Sequence, residues 1–158
     1  MPDNETMESG YFFTFRLGDE VFAIDIRKVK EVVEILKITH VPQSPDYKLG
    51  VINLRGSIVP IIDMHRKFEL NTFTKTIDSA IVIVETNIND ETITIGTIVD
   101  QVEEVIRLQP SNIDEALKIG SRLKTNFISG IGKKDDNFII VLNVENIFSQ
   151  EELLGTVQ

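Results

Sequence analysis

The 158-residue chain has no cysteine. Disulfides, thiolate nucleophiles and cysteine-ligated zinc are therefore excluded. Histidine is nearly absent too: only His40 and His65 occur. Their spacing does not suit a metal pair, and both are expected on the surface. No run approaches the roughly 20 apolar residues of a membrane helix. Residues 1–10 are polar and acidic, unlike a signal peptide, and are expected to be a flexible tail. Basic residues are outnumbered 16 to 25, which gives a formal net charge of −9. An acidic surface repels phosphate backbones, so general binding to nucleic acid or anionic lipid is disfavoured. Basic runs are short, such as Lys133-Lys134. The expected location is cytoplasmic.

Catalytic patterns are missing as well. No serine lies in a G-x-S-x-G elbow. No phosphate loop exists, and Gly130-Ile131-Gly132 is a lone G-x-G before a turn. Glu103-Glu104 and Glu151-Glu152 read as solvated faces. Asp25, Asp63 and Asn143 each follow an apolar strand and precede a short helix, so capping accounts for them. These patterns predict no enzyme, no cofactor and no metal.

What the chain does hold is β-structure. Hydrophobic residues make up 42% of it, and the frequent Ile and Val favour strands. Residues 11–17 alternate with period two, turn at Gly18-Asp19 and return over 21–24 as a hairpin. A short helix is expected over 26–30, a strand over 31–38, and a loop at Pro42 and Pro45. Strands follow over 51–54 and 58–62. Pro60 lies inside the second, which predicts an edge strand or a bulge. Asp63 should cap a helix ending near Phe68. A hairpin around Asn89-Asp90 joins 80–85 to 92–99, and 102–108 adds a strand. Ser111 and Asp114 suggest a capped helical turn. Strands over 127–131 and 138–142 flank another turn, and Asn143 should cap a last helix through Phe148. A polar tail is expected from residue 150 onward.

The chain also repeats itself. Gly50, Asp63 and Phe68 recur as Gly130, Asn143 and Phe148 at a constant offset of 80 residues. Ile24-Asp25 with Val29 and Val32 resembles Val99-Asp100 with Val102 and Val105, at a looser offset near 75. Self-similarity of this kind suggests two copies of one supersecondary unit. Two units of short strands predict two small barrels, which remove sheet edges by closure.

Four motifs then carry a resemblance. G-V-I-N-L-R-G-S-I-V-P-I-I-D, residues 50–63, looks like the signature of the CheW chemotaxis coupling-protein family. Residues 15–32, F-R-L-G-D-E-V-F-A-I-D-I-R-K-V-K-E-V, are similar to that family's opening. So are G-T-I-V-D-Q-V-E-E-V at 96–105 and F-I-S-G-I-G at 127–132. M-H-R-K-F after Asp63, and Gln101 where glycine is common, depart from the pattern.

The resemblance implies an all-β fold with a few short helices: two five-stranded SH3-like or OB-like barrels packed together within one domain, residues 11–149. It implies a non-catalytic scaffold that joins chemoreceptor tips to the regulatory domain of the histidine kinase CheA, and that meets copies of itself in array rings. A stand-alone coupling protein is expected, since nothing catalytic precedes the first strand. Receptor-facing residues carried over by motif are Val29, Glu31, Asn53 and Arg55, with Gly50 allowing close backbone approach. Glu31 and Arg55 are expected to pair with each other or with the receptor. The kinase-facing surface should be apolar and lie on the opposite barrel. Two other classes compete. An oligonucleotide-binding barrel pair would need basic, aromatic-lined grooves, and a small hydrolase would need a nucleophile beside a base.

Overall fold

The computed structural model describes residues 10–70, 72–109, 113–115 and 127–147. The predicted tails, the cap at Ser111 and the repeat position Phe148 lie outside them.

Eleven strands and three short helical turns are described. β1 (Tyr11–Leu17) and β2 (Glu20–Asp25) form the first hairpin. A 3-10 turn (Ile26–Lys28), capped by the Asp25 carboxylate, leads into β3 (Val29–Val33). β4 (Lys48–Leu54), β5 (Ser57–Asp63) and the one-turn helix α1 (Met64–Lys67) follow. β6 (Ala80–Ile88) and β7 (Glu91–Val99) make a second long hairpin. β8 (Gln101–Arg107), β9 (Ile113–Glu115), β10 (Ile128–Lys134), β11 (Asn137–Leu142) and α2 (Val144–Ile147) complete the order.

These strands make two sheets. The central one, contiguous in sequence, runs β3-β6-β7-β5-β4. The terminal one runs β8-β1-β2-β11-β10-β9 and draws on both ends of the chain. Each sheet is closed by the chain leaving its first strand. After β3, Thr39 bridges Val51 of β4. After β8, the three-residue β9 pairs with β10. The fold is two small β-barrels of five main strands each, with β9 as an added short strand on the terminal one.

The repeat is present in the ladders themselves. Every Cα pair of β4–β5, from Lys48/Ile62 to Leu54/Ser57, recurs in β10–β11 with both residue numbers raised by 80. The bulge recurs too, at Lys48/Gly50 and at Ile128/Gly130. Both hairpin turns place two successive residues at positive φ, Arg55-Gly56 in one and Asp135-Asp136 in the other. The parallel ladders set Ala23 against Val141 and Gly96 against Ile61, so β2 matches β7. By the same reasoning β1 matches β6, and β3 matches β8 at an offset of 73: Val29 with Val102, Val32 with Val105. One consequence was invisible in the sequence. Each repeat places its own hairpin in the other repeat's barrel: β1–β2 complete the terminal barrel, while β6–β7 complete the central one.

Packing follows from this exchange. The largest core lies between the barrels and takes Phe13, Phe15 and Phe22 from one, and Val82, Val84 and Ile95 from the other. Four ring contacts of 5.8–6.2 Å run from Phe13 through Phe15, Phe22 and Phe68 to Phe127. β6 is buried on both faces: Val82 and Val84 face the shared core, Ile81 and Ile83 the central barrel's interior. A strand covered on both sides needs no polar alternation, which explains the run A-I-V-I-V.

Several expectations need correction. β3 ends at Val33, short of the predicted 38. β5 is an inner strand, not an edge: Pro60 is tolerated because the ladder to β7 begins only at Ile61, so Pro60 has a strand partner on one side only. Asp114 lies in β9, where pairing with β10 overrides the local cap signal. His65 is buried, at 2% exposure, rather than solvated. The cap at Asp63, which accepts from the backbone N–H groups of His65 and Arg66, turns it inward.

Candidate functional site

The motif residues gather around the β4–β5 turn and the start of β3. Arg55 heads the turn with φ of 51°, a left-handed conformation in which Gly, Asn and Asp are at ease and other residues are strained. The turn is braced by Asn53, whose Oδ1 accepts from the Gly56 N–H at 2.8 Å. Arg55 leaves 66% of its side chain in solvent and donates from its guanidinium to Glu31 on β3. That hydrogen bond, and the Glu31 charge, hold the Arg55 pKa above its ordinary value. Beside it, Lys30 pairs with Glu85 at 3.4 Å.

Of the five predicted residues, the structure joins Glu31 directly to Arg55 and ties Asn53 to the same turn. Val29 is half-buried against the inter-barrel core. Gly50 is buried, and its need for glycine is internal: a Cβ there would sit 2.1 Å from the Thr39 carbonyl oxygen, at φ of 147°. It serves the bridge that closes the barrel.

Sequence reasoning missed two residues. Ile58, opposite Asn53 in the ladder, is 76% exposed, and Val32 is 42% exposed. The available signal was the repeat. Their counterparts Phe138 and Val105 are also exposed, so four of the six exposed large hydrophobics among the described residues fall on two equivalent positions. Exposed apolar residues on the strands that carry this ion pair suit protein docking. Among the described residues no group of three His, Asp or Glu side chains is placed to hold a metal. No helix among them is long and apolar enough to cross a membrane.

Two further contacts fix how the barrels join. The buried His65 of α1 donates from Nε2 to the Asp100 carboxylate at 3.0 and 3.2 Å, and Asp100 also accepts from the Gly18 N–H. At the repeat-equivalent place on α2, Glu145 accepts from the Lys28 ammonium and from Thr86 Oγ1. Burial alone would raise the Glu145 pKa; the Lys28 and Thr86 hydrogen bonds outweigh it and hold it below 4.5. Asp100 and Lys28 stand on the two connections between barrels, so each helix pins one crossover.

With this geometry in place, comparison with known proteins is decisive. The CheW-like domain family matches residues 11–152. The chain belongs to that family. A chemotaxis protein CheW from Helicobacter pylori is 36% identical over 94% of this chain and 86% of its own length. One from Treponema pallidum is 31% identical over 89% and 82%. The crystal structure of scaffolding protein TtCheW from Thermoanaerobacter tengcongensis superposes with a TM-score of 0.80 at 35% identity, covering 90% of each chain. Its agreement extends the family assignment to the two-barrel architecture.

Proposed function

We propose that this chain is a non-catalytic chemotaxis adaptor, one domain over residues 11–149, that joins chemoreceptor tips to the regulatory domain of the histidine kinase CheA at cytoplasmic receptor arrays. Family membership supports the adaptor role. The surface around Glu31 and Arg55 is the receptor-facing site, with Asn53 bracing the turn and Val29, Val32 and Ile58 supplying apolar contact.

The observation that carries this reading is Arg55. Its positive φ makes it a poor choice for turn stability, and the equivalent turn of the other barrel uses Asp135 instead. Strain kept at an exposed cation points to recognition. Its pairing with Glu31 aims the guanidinium before any partner arrives.

The test is Arg55→Glu, titrated against purified receptor tips. The variant places two carboxylates side by side and reverses the charge offered to the receptor. Affinity for the tips is expected to fall about tenfold or more, while the melting temperature stays within about 2 °C. Normal binding would remove Arg55 from the site, and unfolding would make it structural. Failure of the wild-type chain to bind either tips or regulatory domain would sink the adaptor reading itself.

A further inference from the structure

The internal repeat makes one barrel a control for the other, and at one place they differ. The central barrel fills its interior near the β4–β5 tip with Ile52, Leu54 and Ile83. The terminal barrel has Gly132, Lys134 and Thr14 at the matching positions. Leu108 packs onto Gly132 and fills that place, whereas Thr14 and Lys134 border an open groove of about 360 Å³. Val21, Ile106 and Ile139 form the apolar wall, and Phe138 stands at the rim, 66% exposed.

The rim is charged unevenly. Arg16 pairs with Glu103 at 3.3 Å and Lys134 with Glu104 at 3.2 Å, so both cations are already engaged. Glu20, Asp135 and Asp136 also line the groove, and among the described residues they have no ion-pair partner.

We propose that this groove receives a lysine or arginine side chain presented by a protein other than this chain. An alkyl stem would lie along Val21, Ile106 and Ile139 with its charged end among the unpaired carboxylates. The Phe138 ring supplies a face for the cation. A free amine would leave Phe138, 66% exposed, uncovered, whereas a polypeptide covers it. The proposal goes beyond the receptor-facing site, which lies on the other barrel.

The test is an NMR titration of the full chain with the peptide acetyl-Leu-Arg-Leu-amide and its glutamate counterpart. The arginine peptide should give saturable amide shifts around Val21, Glu104 and Phe138, and the glutamate peptide none. The triple variant Glu20→Gln, Asp135→Asn, Asp136→Asn should weaken binding about tenfold or more; Asn keeps the left-handed turn comfortable. Val21→Phe, which fills the groove without altering charge, should weaken it similarly. Equal shifts from both peptides, no saturable shift, shifts centred on Arg55, or indifference to both variants would each overturn the proposal. So would self-association in sedimentation that is lost in both the triple variant and Arg55→Ala, because the occupant would then be a second copy of this chain.

Discussion

The central barrel is packed with Ile52, Leu54 and Ile83 where the terminal barrel has Gly132, Lys134 and Thr14. Their ladders agree pair for pair across β4–β5 and β10–β11. Backbone register is therefore set by features the copies share: the bulge, the two-residue turn and the alternation of buried positions. Interior filling diverges because each change is compensated locally: the Thr14 hydroxyl bonds the Glu104 backbone, the Lys134 ammonium reaches the Glu104 carboxylate, and Leu108 packs onto Gly132. Closure diverges too. One barrel is sealed by the single Thr39–Val51 bridge, the other by the β9–β10 ladder.

The sharpest way to break this comparison is Gly50→Ala. Its Cβ would strike the Thr39 carbonyl, so the bridge must open. A loss of about 4 kcal/mol is expected in chemical denaturation, with faster amide exchange at Val51 than in the terminal barrel. Equal protection of the two barrels would show that closure does not depend on this approach.

A smaller effect should come from exchanging the fillings. Ile83→Thr puts the terminal barrel's residue into the fully buried central site and should cost about 2–3 kcal/mol. The reverse change, Thr14→Val, should also destabilise, by about 1–2 kcal/mol. The Thr14 hydroxyl donates to the Glu104 carbonyl at 2.6 Å and accepts from its N–H at 3.0 Å, and both partners would be stranded. A gain in stability would mean that the terminal barrel merely lacks an apolar side chain.

The two crossover pins give the finest comparison. His65→Ala removes a buried contact and should cost about 2 kcal/mol. Glu145→Gln acts at a partly exposed pair, 38% open on the carboxylate side, so solvent screening holds its cost to about 0.5 kcal/mol or less. Because the folded pKa of Glu145 is depressed, its contribution is present above about 4.5 and is lost as pH falls through the folded value. Denaturation midpoints of Glu145→Gln and wild type should differ at neutral pH and converge in acid.

Much of this was legible in the residues. The offset of 80 predicted a match that extends to each ladder pair, and the caps at Asp25 and Asp63 followed from residue type after a strand. The hairpin exchange was not legible, since strand partners far apart in sequence are chosen by tertiary packing. His65 was misread because the cap rule locates a helix start without saying which side chain of the first turn faces inward. The residue that makes glycine necessary at position 50, the chain's own Thr39, was not legible, because the approach joins segments whose pairing only the fold reveals. Ile58 and Phe138 were passed over because an apolar residue within a strand reads as core until its face is known.

The exchange of hairpins has a consequence in time. All strands of the central barrel lie within residues 29–99, so it can close while the rest of the chain is still being synthesised. The terminal barrel pairs β1 with β8 and β2 with β11, joining residues such as Phe22 and Ile140 that are 118 positions apart (140 − 22). Closing such a long loop is slow compared with local pairing. The first hairpin to leave the ribosome is thus among the last to find its place, and until then Phe13, Phe15 and Phe22 lack the late strands of the terminal barrel that complete their core. The half of the molecule that begins first finishes last.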